Sequence, residues 1–177
     1  ELGNREKAIE SYKKAVAQPI SNKDDFFDMW TTWINLGLLY DKNKSYKEAV
    51  DAYKEAILLS PVEEILAGNL RNSINATGDF QKGVQVYKEI AYSFPMSPIG
   101  WRGLGWSYSN LLKFREAAHA FEKLVAIEPD NVFGWVGLTI SRRQIGDSQG
   151  ATEAWVMLNR LDPKAASGLL GPRTKDK

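Results

Sequence analysis

Cysteine is absent from the 177-residue chain. That excludes disulfide stapling, thiol catalysis and thiolate metal sites, and leaves the compartment open, because extracellular proteins need not contain cysteine. An excess of one charge is missing too: 23 Lys and Arg stand against 22 Asp and Glu, a formal net charge of +1. That balance supplies no electrostatic case for nucleic acid or an anionic membrane, and no nucleic-acid partner is expected. No run approaches the roughly 18 apolar residues of a spanning helix, so no membrane contact is evident. The chain starts at Glu1 rather than Met, which leaves a removed targeting segment open. There is one histidine, His119, and no HExxH, P-loop, dinucleotide or calcium-loop pattern. The GLLG run from Gly168 to Gly171 lacks the spacing of a phosphate loop. No catalytic residue, cofactor or metal is therefore expected. What is present is 44% hydrophobic and 25% charged residues with only seven prolines, the balance of a soluble domain or a short repeat array.

The repeat decides between the two. Pro61, Pro95, Pro129 and Pro163 follow one another at a constant 34 residues. Trp33, Trp101 and Trp135 fall on the same lattice, with Ala67 in the remaining slot. Tyr53, Tyr87, Phe121 and Trp155 form a third column, and Leu36, Leu70, Leu104 and Leu138 a fourth. Within each unit the pattern is two helices and a tight turn. Trp33, Leu36, Gly37 and Tyr40 recur at helical spacing, then Ala49, Tyr53 and Ala56 do so after the Asp41 to Lys44 turn. Gly37, Ala49, Ala56, Gly105 and Ala117 are small where two helix axes must approach, and the aromatic column fills the wider gaps. Ser45 with Glu48 and Ser60 with Glu63 have capping-box spacing. Pro61 and Pro98 follow serines at first helical positions, and Gly78 and Gly146 mark turns. The pattern predicts about nine helices, near 5–18, 24–41, 46–59, 62–76, 80–92, 98–111, 114–127, 131–144 and 148–161.

This lattice of Trp, Leu-Gly, Tyr, Ala, aromatic, Ala and Pro resembles the tetratricopeptide repeat, most clearly in WINLGLLYDKNKSYKEAVDAYKEAILLSP and WRGLGWSYSNLLKFREAAHAFEKLVAIEP. The resemblance covers residues 2–163. It implies an all-α, right-handed superhelical solenoid of antiparallel helix pairs. The concave surface, lined mainly by first helices, would bind peptides or other proteins as a scaffold or adaptor. The expected organisation is the second half of a cut repeat at 1–22, units at 23–63, 64–97, 98–131 and 132–165, and a tail at 166–177.

Two departures from the lattice stand out. Leu2-Gly3 matches an intra-unit turn, with Ala8, Tyr12 and Ala15 in second-helix register. The first unit thus reads as cut through, leaving self-association or continuation at that end as one expectation and fraying as another. Seven extra residues also separate Tyr12 from Tyr53, close to two helical turns. They predict an extended first helix carrying Phe26, Phe27 and Trp30, which either cover the end of the array or offer partners an aromatic patch. Asp24, Asp25 and Asp28 read as charges complementing that helix N-terminus rather than as a cation site. Arg142, Arg143, Lys164, Arg173, Lys175 and Lys177 read as solvated charge at the far end.

The resemblance implies groove residues at the second, fifth, sixth, ninth, twelfth and thirteenth positions of each unit. Those positions give Thr31, Ile34, Asn35 and Leu38, then Ile65, Asn69, Asn72 and Asn75. The next units give Arg102, Gly103, Trp106, Ser109 and Asn110, then Phe133, Val136, Gly137, Ile140, Arg143 and Gln144. The candidate partner-binding set is Asn35, Asn69, Asn72, Arg102, Trp106, Asn110 and Arg143. Amides can both donate to and accept from a peptide backbone. Gly103 and Gly137 interrupt the asparagine column, either admitting a ligand backbone or permitting tight curvature. A clamp for acidic chaperone tails, which the resemblance would build from Lys, Asn, Asn, Lys and Arg in three successive units, is not expected: one register begins Gly68, Asn72 and Gly103, the other reads Ile34, Leu38, Asn69, Ile99 and Gly103, and neither supplies the positive clamp. The alternative to groove binding is a structural spacer that contacts partners through its ends or convex side, with any catalysis confined to a domain outside this chain.

Overall fold

The computed structural model describes residues 2–61 and 64–169. Among them are ten helices: α1 (Leu2–Val16), α2 (Lys23–Lys42), α3 (Tyr46–Leu59), α4 (Glu64–Thr77), α5 (Phe80–Ser93), α6 (Pro98–Asn110), α7 (Phe114–Ile127), α8 (Val132–Gln144), α9 (Ser148–Leu161) and α10 (Pro163–Gly168). They form the all-α succession of antiparallel helix pairs that the 34-residue lattice predicts, and fall into two compact units, Glu1–Lys82 and Gly83–Lys177. In the first, α1 packs on α2, α2 on α3 and α3 on α4; in the second, α6 through α10 pack each on the next.

The seven additional residues lie in α2, which has 20 residues where α6 and α8 have 13. Three expectations are corrected. Leu2 and Gly3 belong to α1 rather than to a turn. Ser45 makes no side-chain cap bond, although Asp147 at the equivalent position of a later repeat, with a similar backbone, accepts from the Gly150 N–H at 2.9 Å. The segment expected as a tail starts with a short helix, α10, whose Ala165 N–H is capped by Asp162 at 2.9 Å and whose Ala166 carbonyl accepts the Trp155 indole N–H at 3.0 Å. Glu63, Arg173, Lys175 and Lys177 lie outside the described residues.

Each lattice column has a packing role. Leu36, Leu70, Leu104 and Leu138 are buried, as are Tyr53, Tyr87 and Phe121. Removing such a ring from water is worth roughly 2–3 kcal/mol each. The rings need glycine opposite them. A Cβ added at Gly37 would meet Tyr53 Cε1 at 2.5 Å, and one at Gly105 would meet Phe121 Cε1 at 2.5 Å. Gly103 bears on Tyr87 in the same way, and Gly137 on the far edge of Phe121. Of the two readings of Gly103 and Gly137, close helix packing is the one with a contact behind it. Trp101 and Trp135 are anchored alike, their indole N–H groups donating to the carbonyls of Pro95 and Pro129 at 2.9 and 2.8 Å.

The intra-pair turns repeat a left-handed residue at one lattice position. Gly78 and Gly146 have φ of 68° and 80°, and Lys44 and Leu112 adopt 58° and 56° at the equivalent places. In the first unit, the Asp41 carboxylate joins three helices: it accepts from the Tyr53 hydroxyl at 2.8 Å and from the Ser73 hydroxyl at 2.7 Å. Burial raises the Tyr53 pKa well above its usual value, and the Asp41 hydrogen bond and charge add to the rise.

Three alanine substitutions at glycine should separate by cause. Gly103→Ala drives a methyl into the Tyr87 ring and is expected to destabilise by about 1–3 kcal/mol. Gly146→Ala has open space but a left-handed backbone, and should lose about 1 kcal/mol. Gly68→Ala, mid-helix with open space, should gain about 0.5–1 kcal/mol. Chemical denaturation of the three variants checks the order. Asp41→Ala leaves the Tyr53 hydroxyl without its acceptor and the Ser73 hydroxyl with the Asn69 carbonyl, and is expected to cost about 1–3 kcal/mol by the same measurement.

Candidate functional site

The inward face of each first helix is fixed by the leucine and aromatic columns, and that choice dictates what turns outward. In α4, Leu66, Ala67, Leu70, Ser73 and Ile74 are buried, so Ile65, Asn72 and Asn75 are left exposed and Asn69 half-buried. On α2 the same rotation leaves Leu38 exposed, with Thr31, Ile34 and Asn35 half-buried. The outward surface of the first unit therefore alternates amides with aliphatic side chains, and Ile65 is 75% exposed.

The second unit carries a different version. On α6, Arg102 and Trp106 are half-buried and Asn110 is exposed, its Nδ2 donating to the Trp106 carbonyl at 2.9 Å. On α8, Phe133, Ile140 and Gln144 are exposed, while Val136 and Arg143 are half-buried. The Phe133 ring stands edge-to-face with the buried Phe121 at 5.9 Å, so this outward position is held by the core beneath it. Where the first unit offers hydrogen-bonding amides, the second offers rings, aliphatic surface and two cationic side chains.

The start of α2 also follows from local chemistry. Asn22 caps it, its side chain accepting from the backbone N–H groups of Asp24 and Asp25 at 2.9 and 3.0 Å. The Asp25 carboxylate in turn accepts the Ser21 N–H at 2.9 Å. The acidic residues are thus spent on the helix terminus. Phe27 is 61% exposed, Phe26 is also exposed, and the Phe27 and Trp30 rings lie 5.8 Å apart. His119 is exposed on α7. Among the described residues no group of three His, Cys, Asp or Glu side chains could hold a metal, and no helix is long and apolar enough to cross a membrane.

Sequence reasoning missed a cleft of about 370 Å³ between α7 and α9, floored by Trp135 and Leu138 of α8. Arg142 lies along it, donating to the Gly150 carbonyl and to Glu122, each at 2.9 Å. The Asp147 and Glu153 carboxylates lie at 3.8 and 3.9 Å from the same guanidinium. The available signal was a comparison of equivalent second-helix positions between units, where the residue types change. In the preceding unit, burial raises the Tyr108 pKa, with smaller contributions from Glu116 and Tyr92.

A tetratricopeptide-repeat family model matches residues 30–61, and a second model of the same repeat matches residues 1–17. No curated protein matches the chain. Among solved structures, MamA is similar with a TM-score of 0.61 and 18% identity over 93% of this chain and 92% of that one. YrrB, described as a TPR protein with an unusual peptide-binding site, gives 0.62 and 15% over 94% and 84%. The Sgt2 TPR domain from Aspergillus fumigatus gives 0.53 and 21% over 68% and 82%. At these identities the likeness is one of fold. With residues 30–61 matched as a whole repeat, residues 1–17 as part of one, and helix pairs continuing on the 34-residue lattice, the chain is built of tetratricopeptide-type repeats, a fold used for protein–protein interaction.

Proposed function

We propose that the chain binds a segment of another protein along the outward surfaces of its first helices, α2 and α4 in the first unit and α6 and α8 in the second. The observation that carries this reading is the chemistry left outward by core packing. Asn35, Asn69, Asn72 and Asn75 sit beside Leu38 and Ile65, all exposed or half-buried. Amides able to bond a peptide backbone in both directions, next to aliphatic area that gains by losing water, suit an extended segment of mixed polarity. On α6 and α8, Trp106 is the anchor and Arg102 and Arg143 the directing charges, while Asn110 adds a further amide. The solved structure of YrrB, a TPR protein described as having an unusual peptide-binding site, supports the class of partner.

The exposed Phe27, beside Phe26 and Trp30, favours a second reading in which partners or a second copy meet the α2 extension instead. One pair of variants separates the two. Once a partner segment has been isolated with the full chain, an Asn69→Ala, Asn72→Ala double variant should weaken binding about tenfold, from two lost hydrogen bonds of roughly 0.5–1 kcal/mol each, with unfolding unchanged. Calorimetric titration is the measurement. Native affinity in that folded variant, together with loss on Phe27→Ala, would overturn first-helix binding in favour of the α2 end.

A further inference from the structure

The two repeats of the second unit differ on the face formed by their second helices, and the difference identifies a ligand. In the earlier repeat, Tyr92 at the end of α5 leans edge-on against Trp101 of α6, with ring centroids 6.4 Å apart and planes at 80°. The Lys88 ammonium lies 5.7 Å from the Tyr92 ring centroid, one helical turn back. Thirty-four residues on, Trp135 stands where Trp101 stood, and its indole is tied to the Pro129 carbonyl as that of Trp101 is to Pro95. Ala126 replaces Tyr92, and Glu122 replaces Lys88. The space an aromatic ring takes in one repeat is, in the next, the open cleft of about 370 Å³ over Trp135.

We propose that this cleft is a receptor for a tyrosine or phenylalanine side chain presented by a partner protein beside a lysine or arginine. The shape argument comes from the chain itself: the incoming ring takes the place of Tyr92, edge-on to an indole held by the same hydrogen bond. Val125, Leu138 and Met157 supply the apolar walls that a ring rewards. The charge argument is independent. Among the described residues Arg142 is the one cation lining the cleft, and three carboxylates, Glu122, Asp147 and Glu153, surround its guanidinium. The rim is left with surplus negative charge, whereas the filled repeat provides its own cation at Lys88. The ligand must therefore bring both the ring and the positive charge. Residues 170–177 of this chain contain basic side chains but no aromatic one, so they do not meet the requirement. This site lies between the second helices α7 and α9 over Trp135, Leu138 and Arg142 of α8, none of which is among the first-helix residues proposed above.

The test uses the full chain with ¹⁵N-labelled indoles and the blocked peptide acetyl-Gly-Lys-Tyr-Lys-Gly-amide. A saturable shift confined to the Trp135 indole N–H is expected, with a dissociation constant of about the millimolar range for so short a probe. Replacing the peptide's tyrosine by alanine should abolish the shift, and replacing its lysines by glutamate should weaken it several-fold. Ala126→Tyr, an exposed position, should fill the cleft from within and remove the response at Trp135. An unmoved Trp135, equal binding of the alanine peptide, or undiminished binding to folded Ala126→Tyr overturns the proposal. Concentration-dependent self-association that disappears in Ala126→Tyr would assign the cleft to a second copy and overturn the partner assignment.

Discussion

Tyr53, Tyr87 and Phe121 can be buried only because glycine lies against their faces. Each ring requires a helix axis to come within reach of it, and a single methyl at Gly37, Gly103, Gly105 or Gly137 would occupy the same volume. Phe121 shows the constraint at its fullest: Gly105 of α6 bears on one edge of the ring and Gly137 of α8 on the other, so one side chain sets the approach of two first helices to α7. Close approach in turn fixes the rotation of those helices about their axes. Rotation decides which residues face outward, so the candidate binding surfaces are consequences of ring burial as much as of their own composition.

Much of this was legible in the sequence because a repeat states its packing rule several times. The aromatic, leucine and tryptophan columns each took the role their periodicity implied, and Gly78 and Gly146 fell at left-handed turn positions. Lys44 and Leu112 occupy the same conformation, but no residue type announced it; the turn is imposed on them by the helices on either side. The Asp41 to Ser73 bond joins residues 32 apart and depends on how two helices rotate, which spacing along one helix does not encode. The cleft over Trp135 was hidden for a different reason: it is defined by an alanine, and a small residue carries no signal until compared with its bulky equivalent.

The two candidate faces differ in what they ask of a ligand. On the proposed first-helix surface, the amides of Asn69 and Asn72 would address a peptide backbone, which every sequence possesses, so selectivity there would come from side chains such as the exposed Ile65 on the same helix. The cleft between α7 and α9, as proposed, would address a side chain, and its charge excess would discriminate by electrostatics. A protein with one tolerant and one discriminating surface can hold a partner by the first and verify it by the second, and effective concentration then multiplies two weak contacts into a firm one.

The left-handed turns have a consequence for how such a chain changes over time. Gly78 and Gly146 have nothing within 4 Å of where a side chain would stand, and Lys44 and Leu112 are exposed at the equivalent corners. Once a loop there is long enough to be flexible, each doubling of its length adds only about 0.6 kcal/mol of closure cost. Insertions at these corners can lengthen a turn, or graft a new element onto the edge of the array, while the rings and glycines stay seated. The corners are where the lineage can experiment.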